Sequence, residues 1–358
     1  MRTPMEGLVP RSYSALLIAL IASGGWYFTT GPGAGKLGAI LNSATQSQNG
    51  PAPAASPTAQ GPQLAPDAAA NVVAPAAPPQ PMFGGPAIRI ASFNIKDFGD
   101  AKAAKPYVMA TLAAIIHNFH VVAIQEISSQ DDYFIDNFLR NFVNQNGRVY
   151  DRIVGPRIGR STNTEQYAFL YDTAAIEVNR RMVYTVHDPD DLLHREPLVA
   201  MFRVRGPPPQ HAFTFVLVNI HTDPDETGIE LDALAQVYQV VRRTAGGEDD
   251  IILLGDLNVD DQHLGQLGQL DAVRPVVRGV PTNTRGTALY DNIILHQPST
   301  AEFSGRWGVL NFPHVFKLTP DQALQVSDHL PVWAEFGVYE STAPGRIATR
   351  PQATIRAQ

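Results

Sequence analysis

Cysteine is absent from this chain of 358 residues. That absence excludes thiol nucleophiles, thiolate zinc sites and disulfide frameworks. It does not fix the compartment, because a domain of this size can bury enough surface to be stable without cross-links. A surplus of basic charge is also absent, since the formal net charge is -7. The sequence thus disfavours a tight, passive nucleic-acid binder but not an enzyme that contacts a few phosphates and releases them.

Charged side chains are missing from residues 12–35, whose hydrophobic centre is Ala15–Ala22. Two interpretations of residues 1–30 stay open, a signal segment and a single membrane anchor. The short apolar core and a glycine pair favour a signal. The lack of an A-x-A cleavage site and the neighbouring Trp26 and Tyr27 favour an anchor. Under either interpretation, the positive-inside rule predicts that the remaining chain is exported from the cytoplasm.

The rest of the chain divides by composition. Residues 31–86 are rich in Ala, Pro, Gly, Ser and Gln and carry only Lys36 and Asp67 as charges. Such a segment cannot bury enough apolar surface to offset its ordering entropy, which predicts a disordered linker. Residues 341–358 have a similar but mildly basic composition and are predicted to be a disordered tail. The folded domain is therefore expected over residues 87–340.

Hydrophobic periodicity inside this domain predicts many strands and a few helices. The predicted strands cover residues 87–93, 121–124, 167–172, 175–185, 198–205, 213–220, 251–254, 291–295 and 331–337. The predicted helices cover about 130–145 and 226–244, with another that begins at Pro106. This mixture predicts an α/β or α+β fold with two packed sheets and outer helices.

Polar side chains cluster at the ends of these strands. The set comprises four carboxylates, two carboxamides and two histidines: Glu126, Asp256, Asp291, Asp328, Asn94, Asn258, His221 and His329. Each alone has an ordinary explanation as a turn residue, a cap or a solvated strand end. If the strands pack in register, however, their ends converge on one rim. Oxygen ligands without thiolates suit Mg²⁺, Mn²⁺ or Ca²⁺, and two histidines beside such an ion indicate proton transfer during water attack on a phosphodiester.

Five short motifs in order resemble the signature of the DNase I-like endonuclease/exonuclease/phosphatase superfamily. They are Phe93-Asn94-Ile95, Gln125-Glu126, Gly255-Asp256-Leu257-Asn258, Tyr290-Asp291-Asn292 and Ser327-Asp328-His329-Leu330-Pro331-Val332. The resemblance covers about residues 88–337. It implies a four-layer sandwich, in which two mainly antiparallel sheets are flanked by helices.

Further positions resemble the DNase I branch. Gly159-Arg160 and Glu165-Gln166-Tyr167 resemble a Gly-Arg and Glu-x-Tyr segment of DNase I, and Arg195-Glu196-Pro197 resembles its Arg-Glu-Pro run. His221 occupies a position that is usually Tyr in abasic-site endonucleases. One position departs, because Ser128 replaces an arginine that enters the minor groove in DNase I. The resemblance therefore does not imply a preference for duplex DNA.

The resemblance implies a divalent-ion site. Glu126, with Asn94 nearby, is expected to hold the catalytic ion, which is Mg²⁺ with Mn²⁺ or Ca²⁺ as alternatives. Asp256 and Asp328 are expected to bind a second ion or to orient the attacking water.

The resemblance also implies two carboxylate–histidine pairs, His221 with Glu165 and His329 with Asp291. A carboxylate partner fixes the imidazole tautomer and raises its basicity. One histidine is expected to help deprotonate water and the other to help protonate the leaving 3′ oxygen. The sequence leaves open which histidine has which role.

Contacts to the scissile phosphate are implied for Asn258, Arg195 and Arg160. A phosphate-contacting threonine of DNase I has two candidates here, Thr284 and Thr287, between which the sequence does not decide.

Three functions follow as hypotheses. The first is an exported metal-dependent endonuclease, a hydrolase that cleaves DNA, with RNA as an alternative substrate. It is expected to be monomeric and, if residues 1–30 are not cleaved, to contact the membrane through them. The second is a sphingomyelinase-like or other phospholipid phosphodiesterase of the same superfamily. The third is an inactive binding module, which the intact His221, Asp256, Asp291 and His329 set disfavours.

Overall fold

The computed structural model describes residues 86–160 and 164–341. The strands within these ranges are β1 (Ala87–Phe98), β2 (Val121–Ile127), β3 (Tyr150–Val154), β4 (Gln166–Asp172), β5 (Ile176–Thr185), β6 (Leu198–Val204), β7 (Thr214–His221), β8 (Ile251–Asp256), β9 (Val273–Pro275), β10 (Asp291–His296), β11 (Phe303–Val309) and β12 (Val332–Gly337). The helices are α1 (Asp100–Ala103), α2 (Pro106–Ile116), α3 (Phe134–Asn141), α4 (Thr227–Thr244), α5 (Gly265–Gln269), α6 (Phe312–Val315) and α7 (Pro320–Val326).

Local sequence explains where the helices α2 and α7 begin. Pro106 is the first residue of α2, where its missing N–H would have no intrahelical partner. At α7, the Thr319 side chain accepts from the Gln322 backbone N–H, while the Gln322 side chain accepts from the Thr319 N–H. This capping box satisfies two amide groups that the helix itself leaves unpaired.

In the described residues the strands form two six-stranded sheets. The first has the order β11-β12-β1-β2-β4-β3 and the second β5-β6-β7-β8-β10-β9. Neighbouring strands are antiparallel except for β1 with β2 and β7 with β8, which run parallel. Each sheet thus has a parallel pair at its centre, and the carboxyl ends of those pairs meet at one rim. This is where the site lies.

Three apolar clusters divide the domain into layers. One lies between the sheets and contains Phe169, Phe202 and Phe215. A second packs α2 and α3 against the outer face of the first sheet, and a third packs α4 against the outer face of the second. The predicted four-layer sandwich of mainly antiparallel sheets is confirmed.

The predicted boundaries 1–30, 31–86 and 341–358 fall almost wholly outside the described residues and stay predictions. Within residues 86–160 and 164–341, no helix is both long and apolar enough to cross a membrane.

One half-buried histidine gives a testable dependence of stability on pH. His120 Nδ1 accepts the Arg89 backbone N–H at 2.9 Å, which requires a neutral ring nitrogen. Burial and the nearby Arg148 charge lower the pKa of His120 from 6.5 to about 4. Because the folded pKa is the lower one, the unfolded chain binds more protons between these values, so stability present above pH 6.5 is lost as pH falls through about 4.

We expect His120→Asn to lose less stability on acidification than the wild type, by on the order of 2 kcal/mol, because the amide oxygen keeps the hydrogen bond but does not titrate. Urea unfolding at pH 6.5 and pH 4 measures the two losses. Equal losses in the two proteins would contradict the prediction.

Candidate active site

Strand pairing brings the predicted residues to one rim. In the first sheet, Asn94 on β1 lies opposite Gln125 on β2, directly before Glu126. In the second sheet, Asp256 at the end of β8 lies opposite both His221 on β7 and Asp291 on β10. The register therefore places polar residues side by side on two strands of the first sheet and on three strands of the second.

The first carboxylate–imidazole pair is His221 with Glu165. His221 Nδ1 lies 3.0 Å from Glu165 Oε1, and both side chains are buried. Burial favours the neutral ring, but the adjacent Glu165 and Asp256 carboxylates outweigh it and raise the pKa of His221. Arg195 Nε lies 3.2 Å from Glu165 Oε2. Glu165 thus joins the histidine to the arginine for which a phosphate contact is predicted.

The second pair is His329 with Asp291. His329 Nδ1 lies 2.9 Å from Asp291 Oδ2, which also accepts the Thr282 hydroxyl at 2.8 Å. Burial opposes charge on the ring, but Asp291 and Asp256 outweigh it and raise the pKa of His329 to about 10. Burial raises the pKa of Asp291 as well.

Asp256 connects the two pairs. Its Oδ2 atom lies 3.7 Å from His221 Nε2, 3.5 Å from His329 Nε2 and 3.0 Å from Asn94 Nδ2. Its Oδ1 atom accepts the backbone N–H of Asn258 at 3.0 Å. Both rings therefore turn their free nitrogen toward one carboxylate that is 2% exposed.

Glu126 and Asn94 form the neighbouring part of the site. Asn94 Nδ2 donates to Glu126 Oε1 at 2.8 Å, and the Asp97 backbone N–H donates to Glu126 Oε2 at 2.9 Å. Glu126 has a φ of 61°, a strained conformation for a non-glycine residue that is typical of functional sites.

Several oxygens of the site suit a metal ion. Asn94 Oδ1, Asp291 Oδ1 and Asp328 Oδ1 are buried and have no hydrogen-bond partner among the described residues. One ligand atom each from Asp256, Asp291 and His329 lies within 4.8 Å of the others. Buried acceptors without donors need a compensating charge, so the chemistry of these residues fits a hard cation.

Two clefts are lined by residues of the site. The larger, about 560 Å³, is lined by Glu126, Glu165, Arg195, His221 and Asn258, among others. The second, about 470 Å³, is lined by Lys96, Asp328, His329 and Tyr290, among others. Asp256 lines the larger cleft, and its Oδ2 atom lies 3.5 Å from Nε2 of His329, which lines the second cleft.

The predicted phosphate contacts differ in where the structure places them. Arg195 and Asn258 line the larger cleft. Arg160 does not line this cleft. Its guanidinium group forms ion pairs with Asp191 at 3.0 Å and with Glu226 at 2.6 Å. A phosphate contact by Arg160 requires these two ion pairs to break, and that role stays a prediction.

Neither threonine candidate lines the larger cleft. The Thr284 hydroxyl donates to the Ser327 carbonyl at 2.7 Å, beneath the Asp328 segment. The Thr287 hydroxyl accepts from Asn283 Nδ2 at 2.9 Å. Both hydroxyls are therefore already engaged in hydrogen bonds with other groups of the chain.

Two residues beside the site were not predicted. Lys96 Nζ forms an ion pair with Asp328 Oδ2 at 2.9 Å. Glu230, which is 1% exposed, accepts the backbone N–H groups of His194 and Asp223 and so holds the segments next to Arg195 and His221. The sequence contains an indication of Lys96, because this residue lies two positions after Asn94 on β1 and therefore lies on the same face of the strand as Asn94. The sequence contains no such indication of Glu230, because a glutamate in an amphipathic helix is usually solvated.

The glycine of the Gly255-Asp256-Leu257-Asn258 motif is required by packing. A Cβ atom at Gly255 would lie 1.9 Å from the Ile220 carbonyl oxygen on β7. We expect Gly255→Ala to lower the free energy of unfolding by about 3 kcal/mol or more, because backbone must move. Gly228→Ala in α4, where a Cβ meets nothing within 4 Å, is the matched control and is expected to be near neutral. Urea unfolding compares the two, and similar effects would contradict this explanation.

Comparison with known proteins assigns the chain to a family. The model of the Endonuclease/Exonuclease/phosphatase family matches residues 91–329. The matched range contains the site residues from Asn94 to His329. The chain therefore belongs to this family.

Individual relatives narrow the assignment. Deoxyribonuclease-1-like 1 of Sus scrofa is 33% identical over 283 residues, which cover 76% of this chain and 87% of that protein. Deoxyribonuclease gamma of Rattus norvegicus is 30% identical over 279 residues, which cover 73% and 88%. These relatives confirm the predicted resemblance to the DNase I branch. An endonuclease/exonuclease/phosphatase family protein from Bacteroides thetaiotaomicron has the same fold, with a TM-score of 0.52, 18% identity and coverage of 73% of this chain and 100% of that one.

Proposed function

We propose that the chain is an endonuclease that depends on a divalent metal ion and hydrolyses the phosphodiester bonds of DNA. The observation that carries the proposal is the pair of carboxylate-bound histidines, His221 and His329, whose free Nε2 atoms lie 3.7 and 3.5 Å from the same Asp256 Oδ2 atom. The names of two relatives state that those relatives act on DNA. We propose the same substrate for this chain.

The residues that would hold the ion are Glu126, Asn94, Asp256 and Asp328. The unpartnered oxygens Asn94 Oδ1 and Asp328 Oδ1 support this assignment. An oxygen-only set suits Mg²⁺, with Mn²⁺ and Ca²⁺ as alternatives. When bound, such an ion would neutralise charge on the phosphate and stabilise it as the bond breaks.

The chain's own residues position the reactants. Glu165 and Asp291 each fix one imidazole by its Nδ1 atom, which leaves Nε2 of His221 and of His329 free to hold or move a proton. One ring accepts a proton from the attacking water while the other donates to the leaving oxygen. Arg195 supplies positive charge from the wall of the larger cleft, next to Glu165.

We also propose that the Asn258 side chain forms a hydrogen bond to the scissile phosphate. Its φ of 52° and its bond from Nδ2 to the Thr222 carbonyl at 2.8 Å fix the side chain at the cleft wall. The preorganised side chain needs no rearrangement when substrate binds.

Location and assembly belong to the same proposal. The uncharged, apolar segment near the N-terminus supports an exported enzyme, secreted or anchored to the membrane with its catalytic domain outside the cytoplasm. We propose a monomer that works on nucleic acid.

Supercoiled plasmid provides the test. The purified chain is incubated with plasmid and Mg²⁺, Mn²⁺ or Ca²⁺, with and without EDTA. We expect nicked circles to form with the metal and EDTA to abolish them. Folded protein that leaves plasmid and RNA intact with every metal but hydrolyses sphingomyelin would replace the proposal with the phospholipid alternative.

A further inference from the structure

A second acidic cluster lies at the opposite end of β8. Asp250 directly precedes β8 and Asp256 ends it, so the two carboxylates are separated by roughly 20 Å of extended chain. Glu302, just before β11, and Glu340, after β12, meet Asp250 there. One carboxylate oxygen from each of the three lies within 4.8 Å of the others.

Four oxygens of this cluster lack donors, whereas Glu302 Oε1 accepts the Ser341 N–H and Glu340 Oε2 accepts the Thr214 N–H. Asp250 is 0% exposed, and neither of its carboxylate oxygens has a hydrogen-bond partner among the described residues. The same holds for Glu302 Oε2, in a side chain that is 5% exposed. The Thr300 hydroxyl, 2% exposed, faces Asp250 but makes no hydrogen bond of good geometry. Four buried oxygen atoms therefore point into one small region without partners.

Within residues 86–160 and 164–341, no ion pair involves Asp250, Glu302 or Glu340. Glu248 adds a further carboxylate, which is bound to the Thr214 hydroxyl and the Asp250 N–H. Buried carboxylates that repel one another are costly unless a cation or protons neutralise them.

We propose that Asp250, Glu302, Glu340 and the Thr300 hydroxyl bind a divalent cation, Ca²⁺. The donors are all oxygens, which excludes a preference for zinc or copper. Oxygens on opposite sides of Ca²⁺ lie roughly 5 Å apart, which matches the spread of these carboxylates. The ligands come from separate segments in an irregular arrangement, which Ca²⁺ accepts more readily than Mg²⁺ does.

The bound ion would join the two sheets. Asp250 belongs to the β8 side of the second sheet, whereas Glu302 and Glu340 flank β11 and β12 of the first. In a chain without cysteine, this cation takes the place of a covalent cross-link between the layers. The site is remote from the histidines and does not rest on the proposed function.

Thermal unfolding tests the site. The full chain is stripped with EDTA, freed of chelator and titrated with CaCl₂ or MgCl₂. We expect saturating Ca²⁺ to raise Tm by about 5 °C and Mg²⁺ to raise it less. Asp250→Asn combined with Glu302→Gln is expected to remove most of the Ca²⁺ effect. In metal-free buffer this double variant is expected to melt at or above the wild-type Tm, because the repulsion is removed. A merely structural role would lower its Tm in both buffers.

Three controls separate this site from the active site. Glu126→Gln is expected to keep most of the Ca²⁺ shift, and exposed Asp190→Asn to behave as wild type. The Asp250/Glu302 variant is expected to retain plasmid cleavage at a temperature where it is folded. Should the double variant fail to fold, Thr300→Val is expected to raise the Ca²⁺ concentration for half the Tm shift by about fivefold. A wild-type Tm that Ca²⁺ leaves unchanged, or a shift lost in Glu126→Gln but kept in the double variant, would overturn the proposal.

Discussion

Plasmid cleavage by His221→Ala is expected to fall by about 10³-fold, because proton transfer by a positioned side chain contributes roughly that much. Glu165 fixes the His221 ring at Nδ1 and directs Nε2 toward Asp256. Alanine removes the proton carrier and leaves Glu165 paired with Arg195 alone. Initial rates of nicking at saturating metal measure the effect.

His263→Ala is the matched control for this variant. His263 also pairs with an aspartate, Asp260, at 2.6 Å, but both side chains are exposed and lie outside the larger cleft. We expect its cleavage rate to remain within about twofold of wild type. If His221→Ala, shown to be folded by circular dichroism, cleaves at the control's rate, His221 is not part of the catalytic site.

Asp256→Asn is expected to reduce cleavage by at least about 10³-fold. Asparagine has nearly the same shape and can still accept the Asn258 N–H, so the strand end should keep its conformation. The negative charge shared by His221 and His329 disappears, and the new NH₂ group meets the Asn94 Nδ2 donor at its 3.0 Å contact. One substitution thereby disturbs both proton carriers and a predicted metal ligand.

Asp260→Asn is the control, since it removes the carboxylate of the exposed Asp–His pair four residues further on. Nicking rates and thermal unfolding are measured for both variants. We expect Asp260→Asn to retain activity and both proteins to remain folded. An active Asp256→Asn would show that the shared carboxylate is not needed and would require a different arrangement of the site.

The sequence predicted the central strands of both sheets but not β3, β9 and β11. All three are edge strands of their sheets. An edge strand has one unpaired side and is often short, bulged or partly exposed, so its alternation of apolar residues is weak. β9 has only three residues, and β11 contains two glycines and a register shift against β12. Central strands such as β8 are buried along their whole length and are therefore readily predicted.

The sequence also predicted only part of the candidate site. The motifs predicted the two carboxylate–histidine pairs, and the structure places each pair within hydrogen-bond distance. They did not predict Lys96 beside Asp328 or Glu230 behind Arg195. Short motifs record residues that are adjacent in sequence, whereas an ion pair between residues 232 positions apart depends on how the sheets stack.

The sequence by itself determined the kind of chemistry that this protein can perform. Residue types at strand ends, with no cysteine among them, specify oxygen and imidazole groups, and their order specifies the family. Tertiary structure alone decided that Asp256 is shared by two histidines, that Arg160 pairs with Asp191 and Glu226, and that carboxylates meet at the far end of β8. Periodicity determines which face a side chain occupies, but the distance between two faces is set by the packing of whole layers.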